Sequence, residues 1–272
     1  MRTTAALTLG AICLISAGTA SAAKPGFGDT FTFGIGSMWT QSDATFAYTL
    51  DGLPETELDL SDLGMKDSDT VLWLGGKWQI SDRFHIGASY SSFDANGSNT
   101  AEFDGDFGEV LFTTGATLTS SFESELYIVD LGWDFVKTED AHLGLGAGVH
   151  IADLSFELGA VVDLPLGGTL DLGVDRAEAT APLPNATLSG GVMISDHLYL
   201  QGTAGYFSLN YKDYDGRLLS ARAALEWRPF ERFGVGAGYQ YLNLNLKVDD
   251  SDSNEEFDLD LSGPLLFLSV GF

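Results

Sequence analysis

Basic residues are scarce in this 272-residue chain, with 13 lysines and arginines against 39 aspartates and glutamates and a net charge of −26. Phosphate contact needs clustered Lys and Arg, so the balance argues against a nucleic-acid partner. Cysteine is scarcer still. The one copy, Cys13, falls in a segment that reads as removable, which leaves the exported chain no disulfide, no thiol chemistry and no cysteine-based metal site. Proline is sparse too, and no Pro- or Ser-rich linker divides the chain, which reads as one domain. Nor does any stretch approach the roughly 20 apolar residues that a membrane-crossing helix requires. No transmembrane helix is expected.

The N-terminus carries an export signature. Arg2 precedes an apolar run over residues 5–15, and small residues follow, ending Ala20-Ser21-Ala22. This is the charge, length and A-x-A site of a secretory signal. Residues 1–22 are therefore set aside, and residues 23–272 carry the fold. The bulky Ile12 beside Cys13 argues against lipoprotein processing.

What the chain has in abundance is glycine, aromatics and a period of two. Successive side chains on a strand point to opposite faces, and apolar residues recur at every second position over ten segments. These predict strands at 29–41, 70–80, 84–93, 123–136, 141–152, 186–194, 198–210, 217–228, 233–247 and 257–272. Long loops are expected at 42–69, 94–122, 153–185 and 248–256, alternating with tight turns at 81–83, 137–140, 195–197 and 229–232. Ten strands joined in this way return the chain to the side where it started.

The aromatics sort to the strand ends. On the apolar face, the short-turn side carries Phe31, Trp78, Phe84, Phe135, Trp227, Phe233 and Phe272. The long-loop side carries Trp39, Tyr90, Tyr127, Tyr206 and Tyr239. Aliphatics lie between the two belts, the arrangement of a barrel with two aromatic girdles at two membrane interfaces. A soluble sandwich with a buried aromatic core has no reason to sort them so. The expected fold is all-β: a closed antiparallel transmembrane β-barrel of about ten strands, with 8 to 12 compatible with the pattern, long outer loops and short periplasmic turns.

Glycine triplets at 144, 146, 148 and 234, 236, 238 share the opposite face. Neither precedes a helical pattern, so they read as small lumen-facing residues rather than dinucleotide loops. Charged residues on that same face, Lys77, Asp130, Asp134, Arg222, Glu226 and Arg228, are the first functional candidates, because ionisable groups at membrane depth are costly. They read as an ion-pair network that fills a narrow lumen, with a narrow conducting pore as the alternative.

The terminal pattern, the girdles and the signal together resemble small Gram-negative outer-membrane β-barrel proteins of the OmpA-like transmembrane type. The resemblance implies a closing strand whose Leu266, Leu268, Val270 and Phe272 are read by the barrel assembly machinery. It also implies lipid and lipopolysaccharide as neighbours. The ten-strand count is similar to that of the omptin proteases, whose chemistry combines histidine with carboxylates at the outer mouth. Of the four histidines, His85, His142 and His197 are expected near the periplasmic turns and His150 toward the mouth, followed by Asp153 and Glu157. No G-x-S-x-G elbow is present, nor a His/Ser pairing of the lipid A deacylase kind. The expectation is a non-enzymatic barrel without cofactor or metal site, with a hydrolase centred on His150 as the alternative.

Acidic loops complete the reading. The first holds Asp51, Glu55, Glu57, Asp59, Asp62, Asp67 and Asp69, and the last Asp249, Asp250, Asp252, Glu255 and Glu256. An EF-hand register from Asp250 fails, with Glu255 at the glycine position and Leu261 at the bidentate position. A solvated surface is expected, with divalent cations bridging it weakly to lipopolysaccharide phosphates.

Overall fold

The computed structural model describes residues 29–50, 56–59, 63–65, 68–102, 104–107, 110–164, 168–211, 214–249 and 253–272. Residues 1–22, expected from sequence to be a secretory signal and containing Cys13, and Asp51, Glu55, Asp62, Asp67, Asp250 and Asp252 of the acidic loops, lie outside these residues. The described strands are β1 (Phe31–Leu50), β2 (Thr56–Asp59), β3 (Ser68–Gln79), β4 (Phe84–Thr100), β5 (Gly105–Phe107), β6 (Val110–Phe112), β7 (Thr117–Lys137), β8 (Ala141–Asp163), β9 (Thr169–Ser195), β10 (Leu198–Tyr211), β11 (Tyr214–Trp227), β12 (Phe233–Asp249) and β13 (Ser253–Gly271).

Ten of these close a barrel. Neighbours in the chain pair antiparallel from β1 through β3, β4 and β7 to β13, and β13 pairs back onto β1 with Thr32 opposite Gly271 and Leu50 opposite Ser253. Closure gives every strand two partners, so no row of unpaired backbone groups meets lipid. The short β2 adds to the outer end of β1 beside β3, and β5 and β6 form a separate hairpin.

Strand lengths depart from expectation. β8 and β9 run 23 and 27 residues, more than twice the roughly 9–11 that a tilted strand needs to cross a bilayer. Residues 153–185, 94–100 and 117–122, expected as loops, are largely strand, so the barrel continues past the membrane band. Along β13 the reason is visible. Leu266, Leu268 and Phe272 point outward, with Leu268 62% exposed, while Ser269 and Gly271 are buried inside. Further along the same strand Phe257, Leu259 and Leu261 are buried inside and Asp260 is exposed outside. The pleat keeps its phase while the two faces exchange chemistry, because the surrounding solvent changes from lipid to water.

The raised half therefore folds around an apolar core. Leu118, Phe122, Phe156, Leu158, Leu244 and Leu259 are almost fully buried within it, and Phe122 packs its ring 6.0 Å from both Phe93 and Phe257. Each such side chain contributes roughly 1.5–3 kcal/mol on burial. The outer wall is polar and paired across strands: Asn243 Nδ2 donates to Asp260 Oδ1 at 2.9 Å, Asn245 pairs with Asp258, and Lys247 meets Glu256 at 3.6 Å.

The raised wall is split beside β9. β10 pairs with β9 over Ala186–Ser195 but not beyond, so the remainder of β9 is laddered to β8 alone. Pro182 and Pro184 sit on that open edge, a position strands tolerate because proline has no N–H to offer a neighbour. Beyond Ser92, the last β4 residue paired to β3, the described residues Leu63 and Met65 are buried against the barrel, and Ser120 Oγ donates to Leu63 O at 3.3 Å. At Gly173 the chain adopts φ 111°, in the left-handed region, where the β8–β9 register skips a residue.

Candidate functional site in the lumen

Below the apolar core the lumen becomes polar, and small residues make the space. A Cβ at Gly132, Gly191 or Gly236 would lie 2.1–2.2 Å from the rings or hydroxyl of His85, Tyr199 and Phe267 respectively. All six charged residues singled out from sequence face this lumen, but they form separate groups rather than one network.

The first group closes the short-turn end. Arg228 Nε donates to Glu226 Oε1 at 2.6 Å, its other arm pairs with Asp29, and Ser269 Oγ donates to the same Glu226 oxygen at 2.6 Å. Arg228 is only 1% exposed, and two carboxylates from two different parts of the chain meet its Nε and Nη1, while Nη2 has no partner among the described residues. Asp29 carries no sequence signal for this role. It precedes β1 and reaches the site because β1 and β13 end together, with Thr30 N donating to Phe272 O at 2.6 Å.

The second group is a chain of three. His142 Nδ1 lies 3.2 Å from Asp134 Oδ1, and its Nε2 lies 2.7 Å from the Tyr199 hydroxyl. An ionised carboxylate can only accept, so Nδ1–H donates to Asp134 and Nε2 of the neutral ring accepts the Tyr199 O–H. His85 Nδ1 approaches the other Asp134 oxygen at 3.9 Å. Alternation put His142 and Asp134 on the inner face; their hydrogen-bonded contact depends on the β7–β8 register, which contains a bulge between Asp134 and Val136.

The third group lines a cavity of about 240 Å³ between the first two groups and the apolar core. Arg222 lies over the Trp73 ring, 5.2 Å from its centroid, and Trp73 meets Phe267 edge-on at 5.8 Å. Asp130 lies over Gly87, where a Cβ would come within 2.6 Å of its Oδ1. Lys77, His150 and Asn185 also line the cavity. His150 is 3% exposed and Asn185 5%, and neither His150 Nδ1 nor the Asn185 amide has a hydrogen-bond partner among the described residues. Leu265 and Phe267, apolar residues on a face expected to be polar, form part of this cavity's wall.

His150 does not meet Asp153 or Glu157, the carboxylates that follow it in sequence. Its ring points inward, whereas Asp153 and Glu157, at odd positions of the same strand, are exposed on the outer wall; Asp153 Oδ1 accepts from Thr180 Oγ1 at 3.2 Å. Proximity in sequence misled because a strand sends neighbours to opposite faces.

The girdle residues lie on the outside of the barrel. Trp39, Trp78, Phe84, Tyr127, Tyr206, Trp227, Phe233 and Tyr239 are all exposed, and Phe135, at the β7 bulge, packs 6.2 Å from Trp133. Tyr90 and Tyr127 lie 5.0 Å apart and both donate to Glu125, at 2.9 and 2.8 Å.

No protein-family model and no curated relative matches the chain. Among solved structures it is similar to the outer membrane protease OmpT of Escherichia coli, with a TM-score of 0.62, 13% identity, and coverage of 93% of this chain and 100% of that one. The outer membrane protein OprG of Pseudomonas aeruginosa overlays with a TM-score of 0.39 and 13% identity, covering 90% of this chain and 97% of that one. At these identities the likeness is one of fold: the chain is built as a closed ten-stranded β-barrel of the Gram-negative outer-membrane type.

Proposed function

We propose that this protein is a non-enzymatic integral barrel of the outer membrane, closed by its own side chains, whose raised outer half serves a structural or surface-interaction role. The observation that carries this reading is the apolar core across the lumen above the membrane band, where Phe122, Phe156, Leu158 and Leu244 are almost fully buried. Ions shed hydration only into polar surroundings, so such a plug opposes conduction. Placement of the histidines supports a non-enzymatic role: His85, His142 and His150 face the lumen and His197 sits in a short turn. No histidine is left to pair with carboxylates on the outer surface.

The acidic wall above the tyrosine girdle suits a lipopolysaccharide neighbour. Asp94 stands opposite Glu123, and Glu125 opposite Asp153. Like charges in register repel, and divalent cations shared with lipid phosphates relieve that repulsion. Leu266, Leu268, Val270 and Phe272 are the segment the barrel assembly machinery reads in this scheme.

Planar-bilayer recording tests the closed barrel. The expected result is no channel at any voltage, for the wild type and for Asp130→Ala and Arg222→Ala alike. Steady conductance in the wild type with selectivity altered by either replacement overturns it in favour of a narrow pore.

A further inference from the structure

The lumen cavity holds two opposite charges, Arg222 and Asp130, that attract each other without meeting in an ion pair. Arg222 and Asp130 both line it and lie close enough to interact electrostatically, yet neither makes an ion pair among the described residues. Arg222 is held back by stacking on Trp73, and Asp130 lies against Gly87. Taking charges out of water is costly unless each is matched; here Asp130 accepts from the Gly87 backbone and lies in the field of His85 and Arg222, and Arg222 has the Trp73 face, but neither has a direct ion-pair partner among the described residues.

Three further facts point the same way. The Asn185 amide offers a donor and an acceptor, and His150 Nδ1 a third polar atom; all are buried and without partners among the described residues. Gly148 is the register partner of both Asp130 and Asn185, so no side chain stands between these two groups on the β8 side. The opposite wall is aromatic, formed by Trp73 and Phe267. Convergent polar groups against an apolar wall are the make-up of a small-molecule site.

We propose that this cavity binds a small zwitterion of amino-acid size, its carboxylate on Arg222 and its ammonium on Asp130, with Asn185 and His150 completing the polar contacts. A zwitterion pairs with both lumen charges and adds no net charge to the lumen. A simple anion or cation serves one group and leaves the other unmatched.

Trp73 supplies the readout. It lines the cavity, whereas Trp39, Trp78, Trp133 and Trp227 are exposed on the outer wall. The purified full chain in detergent micelles, with both ends free, is titrated with L-alanine, acetate and methylammonium while tryptophan emission is followed. The expected result is a saturable response to alanine that is lost in Trp73→Phe, with acetate and methylammonium at least tenfold weaker. Arg222→Gln and Asp130→Asn should each weaken alanine at least tenfold while the strand signal in circular dichroism is unchanged. Absence of a saturable alanine response in folded wild type overturns the proposal, and so does binding of acetate or methylammonium as tight as that of alanine. The single-ended controls use wild type, so the outcome holds even where a variant fails to fold. Conductance plays no part in this readout, so the closed-barrel reading stands or falls separately.

Discussion

At the scale of single residues, burial decides what an ion pair is worth. Arg176 and Glu178 meet at 2.9 Å on the outer wall with both side chains well exposed, an arrangement worth at most about 1 kcal/mol. Arg228 makes the same kind of contact in the sealed end of the lumen, where its loss strands Asp29 and Glu226 without a counter-charge. Arg228→Met should destabilise the barrel by about 3–5 kcal/mol, read from the urea midpoint in lipid vesicles. Adding Glu226→Gln should restore part of that loss. An exposed carboxylate gives a different test. Asp104, between β4 and β5, accepts from the Thr114 backbone at 2.6 Å and its hydroxyl at 2.9 Å, and these bonds hold its pKa below the ordinary 3.8. A depressed folded pKa means the contribution is intact above the ordinary value and disappears as pH falls through the folded one. The protection factor of the Thr114 amide, the unstructured exchange rate at the same pH divided by its own, should therefore fall on acidification, and Asp104→Asn should remove that pH step.

At the scale of the strand, the exchange of chemistry along a fixed pleat makes a sharp prediction for β8. Leu145 and Ser155 both face outward on this strand, Leu145 52% exposed within the membrane band and Ser155 on the raised wall. Leu145→Arg should cost roughly 2–4 kcal/mol, whereas Ser155→Arg should lie within about 0.5 kcal/mol of wild type. Equal costs at the two positions, measured by unfolding in vesicles, contradict the assigned boundary. The same exchange explains which parts of the fold were legible in sequence. Strand number, girdles and the inward set around Lys77, Asp130 and Arg222 follow from period-two patterns with apolar residues outside. Leu154, Phe156 and Leu158 alternate just as regularly with Ser155 and Glu157, but with apolar residues inside, and the apolar run breaks where the faces trade roles. Pro182 and Pro184 then look like loop punctuation, although an open strand edge accommodates them. Contacts such as His142 with Tyr199, or Arg228 with Asp29, depend on register and closure across long sequence separations, which local pattern does not encode.

At the scale of the whole molecule, the barrel contains two interiors stacked end to end. The outer one is apolar and dry, as in a water-soluble barrel; the inner one is charged, hydrogen-bonded and cavity-bearing. The aromatic girdles mark the band around the inner one. This division accounts for a chain that is strongly acidic yet carries a full complement of core leucines and phenylalanines: the carboxylates clothe the raised wall, and the apolar residues serve lipid below and the core above. It also separates the two proposed activities, since surface interaction draws on the outer half and zwitterion binding on the inner.

The raised β8–β9 hairpin has a consequence for how the molecule comes to face the right way. Its outer portion carries Asp153, Glu157, Asp163, Asp171, Asp175 and Glu178, and each charge that crosses hydrocarbon costs a few kcal/mol. For a barrel inserted into the proposed outer membrane from its short-turn side, these carboxylates would traverse the membrane once, while the wall is still open. After β13 zips onto β1 the way back is barred by the same charges and by a core that has already formed on the far side. The acidic hairpin is thus a one-way latch, and orientation, once reached, is held kinetically as well as by equilibrium stability.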